Sequence, residues 1–342
     1  MRDARLRFGI VGCGAVVENY HLPALITRER IALEAVVDSS VERARAVAER
    51  TGARALTDHR ELVGLVDAAL VAVPNDLHAA VTSDLLRAGV HVLVEKPLAP
   101  TVRECDLILA AEADSGSVLA VGLDFRFAPA IRLVKELLDA EVLGPVRELD
   151  LRHGTDNRWP LQSGYLFDRD RAGGGVLLDH GAHLLDHVLW WLGPCAVDSC
   201  RDDGRGGLEA DAEVRLIPRS GGHCVVELSR TRALRNTCRI ECDRGVLEVG
   251  LFEPCARVVL QLAGDVPVLA GDVGDPDLAR RPYTALFERQ LDDFAAAIVT
   301  PRQPFVPGRE GRHAIELIEE CYAVRQPLEH AWDYPQVYEA VR

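Results

Sequence analysis

The chain has 342 residues, 48% hydrophobic and 27% charged, with a net charge of −14 at pH 7. This is the profile of a soluble globular protein long enough for two ordinary domains; it lacks the basic surface that displaces counterions from nucleic acid, and no apolar run is long enough to cross a bilayer. The nine cysteines include no CxxC pair, the nearest spacings being Cys195 to Cys200 and Cys238 to Cys242, so reduced thiols in a cytoplasmic setting are expected rather than a zinc site or a disulfide framework.

In the first segment Arg2, Arg5 and Arg7 precede Phe8-Gly9-Ile10-Val11, but Gly12 and Gly14 interrupt the apolar run and no cleavage pattern follows, so it reads as a first β-strand and not a signal peptide. Continuous apolar runs follow at Leu33 to Val37, Ala68 to Val73, Val90 to Val94 and Val118 to Val121, the pattern of parallel strands covered on both faces. Amphipathic stretches such as Val41 to Arg50 and Ala79 to Ala88 separate them, the second closed by Gly89. The alternation predicts a doubly wound Rossmann domain over residues 1–122.

Beyond residue 123 the period changes. Arg147 to Arg152, Glu209 to Leu216, His223 to Ser229, Thr237 to Cys242, Val246 to Val249 and Val258 to Leu262 alternate or are rich in β-branched residues, and Asp243-Arg244-Gly245 is a hairpin turn. Helices are expected near 129–140, 179–192, 283–299 and 309–325, a loop over 264–282 and a long connection over 154–175. Residues 123–342 therefore read as an α+β domain with an open, largely antiparallel sheet and helices on one side.

Gly12-Cys13-Gly14 ends the first strand. Gly12 permits the tight turn, Gly14 lets the backbone approach a pyrophosphate, and the helix opening at Ala15 and Val16 presents its amides to it. Val17 stands where a third small residue is usual, which predicts looser packing of helix on strand. Asp38, after the second strand, suits the adenosine ribose hydroxyls and favours NAD, with a helix cap as its structural alternative; Arg43 and Arg45 nearby keep NADP open.

Four motifs resemble the Gfo/Idh/MocA oxidoreductases: Gly9-Ile10-Val11-Gly12-Cys13-Gly14, Val73-Pro74-Asn75 with His78, Glu95-Lys96-Pro97, and Gly173-Gly174-Gly175 followed by Asp179 and His183. The resemblance implies a Rossmann domain followed by an open mixed sheet bearing the substrate site, and homodimers or homotetramers formed through those sheets. It implies a cis Lys96–Pro97 bond, places Pro74, Glu95 and Lys96 at the cofactor, sets Asn75 on the nicotinamide ribose, and puts Asp179 and His183 at the substrate. His78 is read either as structural or as cofactor-adjacent, and Asn75 or Asp76 as a helix cap.

Lys96 is one of two lysines among 39 basic residues. An ammonium at the carboxyl end of a parallel strand would polarise a carbonyl or ease deprotonation of an alcohol, in a role that arginine fills poorly. Asp179 and His183, four apart, share a helix face away from the core stripe of Ala182, Leu185, Leu189 and Leu192. His183 is expected to carry the proton, with a pKa near neutrality, and Asp179 to orient it or the substrate. His180, His183 and His187 crowd one helix, but HExxH is absent and no third ligand is evident, so no metal is expected. Asp156, Arg158, Trp159, Gln162 and Tyr165 on the long connection are candidates for gripping a sugar, the alternative being a loop whose aromatic residues plug the core; Arg126 matches a family pattern, and Tyr283 is a further candidate proton donor.

These residues predict an NAD(P)-dependent oxidoreductase acting on a hydroxyl- or keto-bearing carbon of a sugar, amino sugar or cyclitol. A dinucleotide- or sugar-sensing regulator and an NAD-dependent glycoside hydrolase are the alternatives on the same fold.

Overall fold

The computed structural model describes residues 5–155, 164–253, 257–264, 269–272 and 276–328. Six strands, β1 (Leu6–Val11), β2 (Ile31–Val37), β3 (Arg54–Leu56), β4 (Ala68–Val71), β5 (His91–Glu95) and β6 (Leu119–Gly122), form a parallel sheet in the order β3-β2-β1-β4-β5-β6. The order reverses direction between β1 and β4, and the crevice outside the strands' carboxyl ends at such a switch point is where open α/β sheets take ligands. β4 and β6 are buried along their whole length, which explains why they read as unbroken apolar runs.

The helices are α1 (Leu22–Leu25), α2 (Val41–Thr51), α3 (Asn75–Arg87), α4 (Val102–Ser115), α5 (Pro129–Asp139), α6 (Arg169–Ala172), α7 (Val176–Leu192), α8 (Pro276–Arg280), α9 (Pro282–Val299) and α10 (Gly308–Val324). One face of the parallel sheet packs Val71, Val92 and Val94 against Leu85 and Leu86 of α3 and Ile108 of α4. The other packs Phe8, Ile10 and Leu70 against α1, Val47 of α2 and, from far along the chain, Phe287, Leu291 and Phe294 of α9.

The second sheet contains β7 (Val146–Gly154), β8 (Cys195–Asp202), β9 (Asp211–Pro218), β10 (His223–Ser229), β11 (Thr237–Cys242), β12 (Gly245–Gly250), β13 (Arg257–Leu262), β14 (Leu269–Asp272) and β15 (Arg325–Pro327), in the order β14-β13-β12-β11-β7-β10-β9-β8-β15. It is mostly antiparallel, with β10 on β7 and β15 on β8 parallel. Leu149, Leu151, Val214, Val226, Leu228, Ile240 and Leu247 are buried and belong to one continuous core with Leu177, Leu184 and Leu185 of α7 and Leu317 of α10. Between them stand polar residues such as Arg152 and Glu227, paired at 3.3 Å.

Several elements differ from expectation. The segment read as a loop over 264–282 contains β14 and α8, and the long connection contains the short helical turn Gly164–Phe167 and α6. β3, β8 and β15 were not anticipated: β3 and β15 have three residues each, and Cys195-Ala196-Val197-Asp198-Ser199-Cys200 lacks a clean alternation. The hairpin at Asp243-Arg244 closes as predicted, with Cys242 opposite Gly245. Among the described residues, no helix is long and apolar enough to cross a membrane.

Candidate active site

The glycine turn lies at the carboxyl edge of β1. Gly12 has φ 98°, and a Cβ there would run into the Ala72 carbonyl, so a side chain is excluded on two grounds. Gly14 faces open space, as a pyrophosphate approaching the backbone requires. The helix that opens at Ala15 and Val16 widens into a π turn over Val17–His21, the Leu22 amide donating to the Val17 carbonyl. Val17 is fully buried.

Asp38 accepts the Cys13 amide on Oδ2 at 2.8 Å, and the Ser40 amide and Arg43 guanidinium on Oδ1 at 2.8 and 2.7 Å. Burial raises its pKa, but these bonds outweigh burial and hold the carboxylate below its usual range. The cap of α2 is Ser40, whose Oγ accepts the Arg43 amide, so Asp38 is free of that duty and ties the glycine turn to β2. Cys13, Glu18, Arg43 and Ala46 line a groove of about 450 Å³ here.

Pro74 precedes α3, which has no side-chain cap. Asn75 is buried and its Nδ2 donates to the Ala172 carbonyl at 2.8 Å, so neither capping expectation holds. The His78 ring spans the Pro97 and Val73 carbonyls at 2.7 and 2.9 Å, and burial lowers its pKa. It braces the turn that follows β5. Glu95, expected at the cofactor, is turned inward. His21 Nε2 lies 2.5 Å from its Oε1 and the Lys96 amide donates to its Oε2 at 3.0 Å. Burial raises the Glu95 pKa, and the bond and charge of His21 with the charge of Lys96 reverse this to a net lowering.

The Lys96–Pro97 bond is cis. Lys96 Nζ donates to Asp179 Oδ1 at 2.6 Å and to the Asp179 carbonyl at 3.2 Å. Arg230 Nη2 donates to the other carboxylate oxygen at 2.6 Å. Burial opposes both charges, but the Asp179 carboxylate keeps Lys96 protonated, its pKa raised, while Lys96, His180 and Arg230 hold Asp179 well below its usual range. Asp179 lies in the first turn of α7, where the helix dipole also favours a negative charge. The start of α7 is fixed by Glu209, whose Oε1 accepts the Gly175 and Leu177 amides at 3.0 and 2.9 Å and the Tyr322 hydroxyl at 2.9 Å. A Cβ on Gly175 would strike the Glu209 backbone, so the glycine run is a packing requirement that sets where Asp179 stands.

One turn on, His183 is 5% exposed, edge-on to Phe125 and Phe252 with centroids 5.4 and 5.6 Å away. Its Nε2 lies 3.9 Å from Asp124 Oδ1, and its Nδ1 is buried without a partner. Burial first, then the charges of Lys96 and His187, hold its pKa well below the ordinary value. The expected near-neutral pKa is thereby corrected: the imidazole is neutral. Asp124 goes the other way, pushed up to about 8 by burial and by Glu95 against the pull of Lys96.

The remaining candidates separate. Tyr165 lies near enough to Lys96, Asp179 and Arg230 to feel their charges, and burial raises its pKa. Arg126 is 2% exposed; its guanidinium grips Asp186 at 2.7 and 2.5 Å and Glu310 at 3.1 Å and sits 5.0 Å above the Trp190 ring. Its Nε and Nη2 donors are thus bonded to carboxylates inside the protein. Tyr283 donates its hydroxyl to the Phe252 carbonyl at 3.0 Å. Asp156, Arg158, Trp159 and Gln162 lie outside the described residues. Among the described residues, no group of three or more His, Cys, Asp or Glu side chains is placed to hold a metal.

Three site residues escaped the sequence reading. Arg230, at the end of β10, left no local signal. His21 was passed over because nothing predicts the π turn that carries it to Glu95. Asp124 had a usable signal, since it follows β6 at the carboxyl edge as Lys96 follows β5.

Residues 6–123 match the family model described as oxidoreductase family, NAD-binding Rossmann fold, and residues 131–248 match the GFO/IDH/MocA C-terminal domain. The D-glucoside 3-dehydrogenase of Escherichia coli is 33% identical over 205 residues, 58% of this chain and 57% of that protein; the chain thus spans little more than half the length of this relative. The dTDP-3,4-didehydro-2,6-dideoxy-alpha-D-glucose 3-reductase of Streptomyces antibioticus is 30% identical over 340 residues, 96% of this chain and 98% of that protein. Among solved structures, the aldose-aldose oxidoreductase of Caulobacter crescentus complexed with glycerol superposes with a TM-score of 0.82 at 26% identity, covering 94% of this chain and 97% of that one. The chain belongs to the Gfo/Idh/MocA oxidoreductase family.

Proposed function

We propose that the chain is an NAD(P)-dependent dehydrogenase or reductase acting on a secondary hydroxyl or keto carbon of a sugar, free or nucleotide-linked. The observation that carries this reading is the Lys96–Asp179 pair at 2.6 Å, with His183 one turn away, at the same carboxyl edge as the glycine turn. The named activities of the relatives, a 3-dehydrogenase and a 3-reductase of sugars, point to the same chemistry.

The residues fit a dinucleotide. Gly12, Gly14, Ala15 and Val16 would cradle its pyrophosphate, Asp38 and Arg43 would face the adenosine ribose, and Pro74 and Asn75 would flank the path toward Lys96. The nicotinamide supplies or accepts the hydride when bound. The protein supplies charge and position. Lys96 keeps its proton, so it serves as a fixed positive charge for the developing alkoxide and not as a proton carrier. Asp179 aims the ammonium, and Arg230 shares that carboxylate, leaving one net positive charge at the substrate oxygen. His183, a neutral imidazole, exchanges the proton at that oxygen. Tyr165, with its phenol protonated, would bond a neighbouring hydroxyl. Residues 1–122 would hold the cofactor and 123–342 the substrate.

The test is a panel of aldoses, amino sugars, inositols and nucleoside-diphosphate sugars followed at 340 nm with oxidised and reduced NAD and NADP. A net absorbance change is expected for at least one sugar. Release of an aglycone with no net redox would mark a hydrolase, and saturable dinucleotide binding with neither would mark a regulator.

A further inference from the structure

We propose that Asp124 is the proton reservoir of the site, exchanging a proton with His183 as the substrate oxygen gains or loses its own; the inference rests on the redox reading above. The geometry gives the His183 ring two different sides. Nε2 faces the Asp124 carboxyl at 3.9 Å, about 1 Å beyond a hydrogen bond, a gap of the kind that closes when an active site tightens on its substrate. Nδ1 is buried and orphaned, and a buried polar atom without a partner calls for one. A substrate oxygen would supply it.

The other charged groups of the cluster cannot alternate. Lys96 is held as an ammonium by Asp179, Asp179 as a carboxylate by Lys96 and Arg230, and Glu95 as a carboxylate bonded to His21. Asp124 is 5% exposed. The groups that act on it are Glu95 and Lys96 from the end of β5 and His183 from α7, with the phenols of Tyr20 and Tyr283 in electrostatic range. It is the carboxyl here that stores a proton at neutral pH.

In the reducing direction, the ketone carbon takes the hydride from the reduced nicotinamide and its oxygen takes the Nδ1 proton of His183. Nε2 takes the Asp124 carboxyl proton, so the imidazole ends neutral and Asp124 ends as a carboxylate. The sum is ketone, reduced nicotinamide and one carboxyl proton giving alcohol, oxidised nicotinamide and carboxylate. Oxidation runs the same transfers backward, and Asp124 re-equilibrates with solvent between turnovers.

A purely structural role is the competing account, because the Asp124 carboxyl also accepts amides of its own turn, from Asp124 and Phe125. Asp124→Asn preserves shape and acceptor while removing the titration. With the wild type, kcat for ketone reduction falls as pH rises through about 8; the variant is slower by about 10²-fold, within the range of lost acid–base catalysis, and flat across that region. A variant with the wild-type rate, or with the same alkaline fall, overturns the proposal.

Thermal melts of the cofactor-free protein give an independent readout. A carboxyl whose folded pKa is raised binds its proton more tightly when folded, so it costs stability as pH rises from the ordinary carboxylate value of 3.8 to about 8. The Tm of Asp124→Asn therefore gains on that of the wild type between pH 5 and 8. A pH-independent Tm difference shows that Asp124 holds no proton there and overturns the proposal. Failure of the wild type to turn over any sugar would instead sink the redox reading, with the melts still deciding the state of Asp124.

Discussion

The ammonium of Lys96 reaches across 83 residues of sequence to bond the carboxylate of Asp179 at 2.6 Å. Arg230 bonds the second oxygen of the same carboxylate at the same distance. Two cations on one anion leave a positive residue of charge beside a neutral imidazole, and that imbalance favours an alkoxide over an alcohol.

Removal of the ammonium is the first prediction. Lys96→Met keeps most of the apolar length of the side chain and leaves Arg230 to neutralise Asp179, so the fold survives and the charge at the substrate oxygen is lost. Turnover at 340 nm should fall by about 10²- to 10³-fold, as for loss of one oxyanion-stabilising group, while NADH binding followed by fluorescence changes less than threefold. Unchanged turnover would reject the role assigned to Lys96.

Arg126 should behave differently. Arg126→Leu leaves Asp186, 1% exposed, as an uncompensated buried charge, which costs about 3–5 kcal/mol. Urea unfolding should show that loss, with KM for the sugar changed little at temperatures where the variant is folded. A selective rise in KM with stability intact would return Arg126 to the substrate site.

Arg43 decides how the cofactor groove treats a 2'-phosphate. Asp38 alone would repel the phosphate, but Arg43 lies on it at 2.7 Å and, with its side chain 42% exposed, can present its remaining face to an anion. Arg43→Ala should raise KM for NADP by about 10-fold, a difference of about 1.4 kcal/mol, and leave KM for NAD within about twofold. Equal effects on both cofactors would remove Arg43 from discrimination.

Gly175 tests the anchoring of α7. In Gly175→Ala the methyl group meets the Glu209 backbone, and the helix start must shift, carrying Asp179 away from Lys96. The expected outcome is a destabilisation of about 1–3 kcal/mol, typical of overpacking, together with a fall in kcat. A fully stable and active variant would show that the glycine run is not what sets the position of Asp179.

The fold was legible where one physical signal dominated. Runs buried on both faces announced β1, β4, β5 and β6, and the glycine turn with Lys96, Asp179 and His183 stood out by position and spacing. β3, β8 and β15 were illegible because three residues, or a strand with no clear alternation, carry no period. The electrostatics of the candidate site were not legible. The low pKa of His183 and the high one of Asp124 come from burial and from charges on other elements, and spacing along one helix cannot report either. Arg230 was invisible because its link to Asp179 exists only once β10 lies beside α7.

The most direct test of the hydride-transfer account is a crystal structure with NADH bound. The account predicts the pyrophosphate on the amides from Gly12 to Val16 and nicotinamide C4 within about 4 Å of a substrate-sized space bordered by Lys96 Nζ and the His183 ring. A nicotinamide directed away from that pair, with Lys96 and His183 facing solvent or protein instead, would contradict it.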